Sequence, residues 1–149
     1  MSTYQGILVA ADGSEPSARA IRRAAKLAGQ EQTPLYILNV IRDMQFPDAL
    51  KRMAEVERLV GTRSDVLHYV ADKILSDAKK TARKEGAKTI ELLTADGDPA
   101  GCIVEQADSK GADLIVVGTR GLGGVAGALL GSVSRKVSNL AEQDVLIVR

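Results

Sequence analysis

The residues best suited to chemistry lie in a glycine-rich stretch that runs from Gly118 to Ser134. Six of the chain's 14 glycines fall between Gly118 and Gly131, directly after the apolar run 114–117. Glycine lets the backbone adopt positive φ and lets a ligand approach bare N–H groups. Serines at 132 and 134 stand where a following helix is expected to begin, and the start of a helix attracts anions. The stretch therefore predicts a binding site for phosphate groups.

A second polar turn, Asp12-Gly13-Ser14, follows the apolar run 7–11. If the runs 7–11 and 114–117 form neighbouring parallel strands, both polar turns open on the same edge of the sheet. Asp12 then either contacts the ligand or only stabilises its own turn, as Asp often does. Because the glycine stretch is also present, we favour ligand contact.

Two well-known phosphate motifs do not explain the glycine stretch. A P-loop requires a lysine after its last glycine, and no lysine stands in that frame. Gly121-Leu-Gly123-Gly-Val-Ala126 fits the dinucleotide-binding pattern, but it belongs to the last strand–helix unit, and no acidic ribose ligand follows the next strand. We therefore attribute that match to glycine density.

The elements that must position these turns alternate between strand and helix. Apolar runs predict strands at 7–11, 35–40, 89–93, 114–117 and 145–148, with helices between them. Such alternation indicates an α/β fold with one open, parallel five-stranded sheet that carries helices on both faces. If the two polar turns share one crevice, the strand order is 3-2-1-4-5. Residues 1–149 are expected to form a single domain.

Helix boundaries are predicted from caps and breakers. Ser14 is expected to cap the first helix and Gly29 to end it, while Asp98-Pro99 begins the third. The last helix is expected over about 132–142, with Ser132 as both its N-cap and an anion ligand. The less regular segment 41–63 predicts a short helix over 49–60 and is either a cover for the crevice or a surface excursion.

The composition is that of an ordinary globular protein, with 45% hydrophobic residues, 26% charged residues and a net charge of +1. This charge gives no electrostatic reason to expect nucleic acid as a partner. No signal-peptide pattern opens the chain, and no apolar run approaches the roughly 20 residues of a membrane span, so we expect a cytoplasmic protein without direct membrane insertion. The single cysteine, Cys102, is expected to be a packed residue, and His68 a surface or boundary residue.

A longer glycine frame, Gly118-x2-Gly121-x9-Gly131-Ser132, closely resembles the nucleotide-binding signature of the universal stress protein family, in its ATP-binding branch. The resemblance covers the whole chain, because the runs 7–14, 97–100, 112–118 and 145–149 are similar to family-typical runs. Together with these flanking runs, the frame is a specific signal.

The resemblance implies ATP as a ligand, accompanied by Mg²⁺ or Mn²⁺. Asp12 would approach the ribose or the phosphates, directly or through the metal. The other implied contacts are Ala10, Ala11 and Val40 at the adenine, Gly118, Arg120, Gly121 and Gly131 at the ribose and phosphates, and Ser132, Val133 and Ser134 at the outer phosphates.

Three functions are consistent with these residues. The first is an ATP-binding regulator in the stress response, whose nucleotide alters a surface that a partner reads; this partner could be a kinase, another enzyme or a membrane transporter. The second is a slow metal-dependent ATPase with Asp12 at the metal, although no other carboxylate or histidine is placed near the outer phosphates. The third is a nucleotide-independent interaction module, which the intact glycine frame disfavours.

The resemblance also implies a homodimer in which the strands 145–148 of two copies pair antiparallel across a two-fold axis. A short, apolar edge strand suits such pairing. Gln143-Asp144 departs from the family pattern, which often has a small residue and a proline there, so the start of this strand is less constrained.

Overall fold

Strand and helix alternate along the chain, as the sequence predicts. The computed structural model describes residues 3–41, 63–119 and 131–149. Within these ranges the strands are β1 (Ile7–Ala10), β2 (Leu35–Ile41), β3 (Ile90–Asp96), β4 (Leu114–Gly118) and β5 (Asp144–Val148). The helices are α1 (Glu15–Glu31), α2 (Arg63–Lys84), α3 (Pro99–Lys110) and α4 (Ser132–Leu140). The helix predicted over 49–60 lies outside the described residues.

The five strands form one parallel sheet in the order β3-β2-β1-β4-β5, which confirms the predicted order. The central strand β1 pairs with β2 through Ile7 and Leu35, and with β4 through Ile7 and Leu114. From β1 the chain adds β2 and β3 towards one side of the sheet, and it then returns to add β4 and β5 on the other side. Ligands of such sheets bind at this switch point, beyond the carboxyl ends of the strands.

Helices cover both faces of the sheet, because the side chains of each strand alternate between the two faces. Ile7 and Val9 belong to the core under α1 and α2, whereas Leu8 and Ile115 belong to the core under α3 and α4. All of these side chains are fully buried, and both cores consist largely of aliphatic residues. Strands buried on both faces explain why the sequence shows continuous apolar runs rather than strict alternation.

Two of the predicted helix starts are confirmed in detail. Ser14 is the N-cap of α1, and its Oγ accepts a hydrogen bond from Ser17 N. Asp98 is the N-cap of α3, and its Oδ2 accepts from Gly101 N at 3.0 Å. Both side chains satisfy N–H groups that have no partner inside their own helix.

The prediction that Gly29 ends α1 is wrong. The helix continues to Glu31, and Gln32 forms its C-cap in the left-handed conformation, with φ of 53°. Gly29 instead marks a close approach of two backbones, since a Cβ at this position would lie 2.6 Å from the carbonyl oxygen of Gly86. The glycine is thus required by the packing of α1 against the end of α2.

Replacement by alanine is expected to change the stability of the protein in opposite directions at two helical glycines, Gly101 and Gly29. Alanine is a better helix former than glycine by about 1 kcal/mol, so Gly101→Ala in α3 is expected to stabilise the protein by up to about that amount. A Cβ at Gly101 would lie 3.4 Å from Asp98 Oδ2, the far end of a side chain. Gly29→Ala is expected to lower the free energy of unfolding by about 1–3 kcal/mol, because its Cβ meets backbone. Urea unfolding measures the change in the free energy of unfolding for each variant. If Gly29→Ala stabilised the protein as Gly101→Ala does, the close approach of Gly29 to Gly86 would be contradicted.

Candidate functional site

The turn after β1 is fixed by hydrogen bonds from β2 and α1. Ala11 N donates to Leu38 O at 2.8 Å, and the buried side chain of Asn39 donates through Nδ2 to Ala11 O at 2.8 Å. Asp12 N donates to Ser17 Oγ at 3.1 Å. The backbone of the turn therefore has a defined conformation before any ligand arrives.

The carboxylate of Asp12 is half-buried and has a structural role within this turn. Its Oδ1 accepts a hydrogen bond from Ser14 N at 2.9 Å, which is the turn geometry that a short acidic side chain favours. An ionised carboxylate offers about four lone-pair sites on its two oxygens. The bond to Ser14 is thus compatible with contact between Asp12 and a ligand, and it orients the side chain at the carboxyl end of β1.

The carbonyl group of Thr119 joins the two ends of the glycine-rich stretch. Thr119 N donates to Val148 O at 2.9 Å, which continues the pairing of β4 with β5 by one residue. Thr119 O accepts from Gly131 N at 2.6 Å and from Ser134 Oγ at 3.0 Å. These bonds fix the start of α4 beside the carboxyl end of β4.

Gly118 has a packing reason to be glycine. A Cβ at this position would lie 2.9 Å from the carbonyl carbon, the carbonyl oxygen and the Cβ of Pro16 in the first turn of α1. Any side chain would therefore push α1 away from the end of β4. The absence of a side chain at Gly118 thus allows the first turn of α1 to pack closely against the carboxyl end of β4.

Among the residues that the structure describes, no side chain caps the start of α4. The prediction that Ser132 is the N-cap is wrong, because Gly131 holds that position and the exposed Ser132 is the first helical residue. The first turn carries no acidic residue either. The starts of α1 and α3 differ, since Ser14 and Asp98 cap them. The first N–H groups of α4 are therefore left for a partner outside the helix, and the helix dipole favours an anion there.

The hydroxyl of Ser134 is used inside the protein. Ser134 is 2% exposed, and its single O–H is shared between Thr119 O at 3.0 Å and Gly131 O at 3.1 Å. The side chain thus holds the start of α4 in place. Any contact of Ser134 with a ligand would come from its backbone N–H.

The backbone of Val40 faces the same crevice. Leu38 O accepts from Ala11 N, so the polar groups of Leu38 point towards β1. Backbone groups two residues apart in a strand point to the same side, and those of Val40 therefore do so as well. The pairing of β1 with β2 ends at Ala10 and Leu38. Val40 consequently presents its N–H and C=O just beyond the last rung.

The structure places nine of the predicted site residues at the carboxyl edge of the sheet, around the switch point: Ala10, Ala11, Asp12, Val40, Gly118, Gly131, Ser132, Val133 and Ser134. Arg120 and Gly121 lie outside the described residues. Sequence reasoning missed Asn39, Ser17 and Thr119. A polar residue inside the apolar run 35–40 is a signal that could have identified Asn39.

Two other candidate residues belong to helices. His68 is exposed on α2. Cys102 is partly buried in α3, where its Sγ donates to Asp96 O at 3.5 Å. Burial raises the pKa of the Cys102 thiol, and neighbouring carboxylates, led by Glu105, raise it further. A raised pKa disfavours the nucleophilic thiolate, which agrees with a packing role.

A doubly wound parallel sheet with an uncapped helix start at its switch point is an architecture that binds nucleotides and other phosphorylated ligands. The chain belongs to the universal stress protein family, whose family model matches residues 3–149. The universal stress protein Rv1636 of Mycobacterium tuberculosis is 40% identical over 151 aligned positions, which cover 99% of this chain and 98% of that protein.

Two solved structures of the family are similar over nearly the full length. A universal stress protein in complex with cAMP is 35% identical with a TM-score of 0.70, and the match covers 99% of this chain and 98% of that one. The universal stress protein of Archaeoglobus fulgidus in complex with dAMP is 28% identical with a TM-score of 0.68, and the match covers 98% of both chains. Among the helices described here, none is long and apolar enough to cross a membrane.

Proposed function

We propose that this protein is a cytoplasmic ATP-binding regulator, which binds the nucleotide at the switch point and thereby controls a partner protein in the stress response. The observation that carries the proposal is the uncapped start of α4. It is fixed by Thr119 O beside the end of β4, at the same edge as Asp12. The adenine nucleotides bound by two relatives, cAMP and dAMP, support a nucleotide of this class.

The adenosine part of ATP would lie against the ends of β1 and β2. Ala10 offers a small, partly exposed side chain there, and Ala11, whose methyl group is buried, borders this position with its backbone. Val40 offers an N–H donor and a C=O acceptor on the same side of its strand. Such a pair matches the acceptor nitrogen and the amino group on one edge of adenine. Asp12, oriented by Ser14, would accept hydrogen bonds from the ribose or bind a metal that accompanies the phosphates.

The phosphates would bind at the start of α4. The donors offered here include the backbone N–H groups of Ser132, Val133 and Ser134 and the exposed hydroxyl of Ser132. Gly118, Arg120 and Gly121 are proposed to complete the site. No three His, Cys, Asp or Glu side chains within the described ranges are grouped to hold a metal. We propose that Mg²⁺ or Mn²⁺ would be held mainly by phosphate oxygens, with the carboxylate of Asp12, a type of ligand that these ions prefer, as the protein ligand.

The connection of the site to the rest of the fold supports the proposed regulatory role. Thr119 bonds both to the start of α4 and, through Val148 O, to β5 at the outer edge of the sheet. A ligand at the start of α4 would thus bind next to Thr119, which is bonded directly to β5, the edge strand of the sheet. We propose that two copies pair through this edge of β5, and that a client protein recognises the nucleotide-bound dimer.

The proposal is tested by identifying what the purified protein carries and binds. Heat denaturation should release ATP that chromatography identifies, and calorimetry of the emptied protein with Mg-ATP, cAMP and AMP should give the tightest binding for ATP. Sustained release of ADP that Asp12→Ala abolishes would instead support the slow ATPase. If no adenine nucleotide is bound or released, the nucleotide-independent interaction module is the better description.

A further inference from the structure

The hydrogen bond between Asn39 and Ala11 replaces a rung of the sheet. In a continued parallel ladder, Ala11 O would accept from Val40 N, just as Leu38 O accepts from Ala11 N. The ladder between β1 and β2 ends instead at Ala10 and Leu38, and Ala11 O accepts from Asn39 Nδ2 at 2.8 Å. A side chain on β2 has thus taken the place of the backbone donor that follows it.

This exchange satisfies two groups that must be paired. Asn39 is only 6% exposed and Ala11 only 2%, and a buried amide or carbonyl without a partner destabilises a protein. The bond between them leaves no need for a rung between Ala11 and Val40. The N–H of Val40 therefore stays directed at the crevice as a donor.

We infer that Asn39 is a positioning residue of the nucleotide site, which occupies the carbonyl of Ala11 and so reserves the N–H of Val40 for the base. The identity of the ligand rests on the proposed function, whereas the exchange of donors at Ala11 does not. Asn39 touches no ligand in this arrangement. It acts through the backbone of its neighbours on β1 and β2.

The test removes the donor with Asn39→Leu, which keeps the size of the side chain, and with Asn39→Ala. Without the amide, Ala11 O accepts from Val40 N and the ladder gains one rung. Amide hydrogen exchange of the nucleotide-free protein, followed by NMR, should show Val40 protected at least about tenfold more in the variants than in the original protein. Affinities for adenosine and ATP should fall by a similar factor, about tenfold, because one hydrogen bond to the base is lost.

Ile37→Val is the matched control, since Ile37 is fully buried on the same strand and the same face as Asn39. It should lower stability without changing the exchange of Val40 or either affinity. Unchanged or faster exchange of the Val40 amide in both Asn39 variants would overturn the inference, because Val40 N would then not have bonded to Ala11 O. This holds even if ATP binding fell, since weaker binding alone could come from a general loss of structure at the site. If Val40 becomes protected but the original protein binds no adenine nucleotide, the proposed function fails and the control of Val40 by Asn39 stands.

Discussion

Replacing Ser132 by glutamate is expected to stabilise the protein and to weaken its binding of ATP. Ser132 is exposed in the first turn of α4, where the N-cap, Gly131, has no side chain to cap the helix and no acidic residue is present. A carboxylate at a helix start is favourable by about 0.3–1 kcal/mol, which corresponds to a rise in Tm of about 1–4 °C. The same charge would repel phosphates bound at these N–H groups. We expect a loss in ATP affinity of about tenfold or more, because like charges a few ångströms apart at a protein surface repel by more than about 1 kcal/mol.

The matched control for this substitution is Ser138→Glu, which adds the same charge further along the helix. Ser138 is exposed and lies six residues, or about 9 Å, from Ser132. This distance is close to the screening length at physiological salt, so ATP affinity should change little. The acidic group near the carboxyl end of α4 should lower stability slightly. If Ser132→Glu binds ATP as tightly as Ser138→Glu does, the phosphates do not bind at the start of α4.

The sheet and its order were predictable because they depend on patterns that the sequence displays directly. Strands buried on both faces appear as apolar runs, and the polar turns at Asp12 and Gly118 identify the strands that border the crevice. Ser14 and Asp98 were predictable as caps for the same reason, since each acts on its own helix. The family frame of glycines then indicated the edge of the sheet where the site lies.

The features that the sequence did not predict depend on contacts between distant segments. From the sequence, Gly29 is the type of residue that often ends a helix. In the structure it is needed because a side chain there would collide with the carbonyl group of Gly86, just beyond the end of α2. Serine is a residue type that favours the N-cap, so Ser132 was predicted there. In the structure the N-cap is Gly131, whose N–H bonds to Thr119 O on the end of β4. The role of Asn39 depends on the register of β2 against β1, which no local pattern gives.

Replacing Ile147 by proline is expected to convert the proposed homodimer into monomers while the fold is kept. Asp144 N donates to Asp113 O, and Val148 O accepts from Thr119 N, so the backbone groups of residues 144, 146 and 148 point to β4. By alternation, those of Val145 and Ile147 point to the open edge. Proline at 147 removes an outward N–H, which disrupts pairing with a second copy but leaves the ladder to β4 intact.

Leu146→Pro is the control with the opposite geometry, since it removes an N–H that points to β4. It should lower Tm far more than Ile147→Pro does. Light scattering after size-exclusion chromatography, over a range of concentrations, should show a dimer for the original protein and a monomer for Ile147→Pro. Deletion of 145–149 would be a poorer test, because Val148 is 6% exposed and belongs to the core under α1. A dimer that survives Ile147→Pro would place the contact on another surface.

The charges at the two ends of β5 favour the antiparallel arrangement over a parallel one. Glu142 and Asp144 are exposed at the start of the strand, and Arg149 is exposed at its end. Antiparallel pairing sets the acidic start of one copy against the basic end of the other, whereas parallel pairing would set like charges together. Asp144 also accepts a hydrogen bond from the hydroxyl of Tyr4 at 2.9 Å, which fixes its carboxylate near the strand. Dimer affinity should therefore fall as salt rises from low ionic strength, and reversal of Arg149 to glutamate should weaken the dimer even where the ladder of β5 is intact.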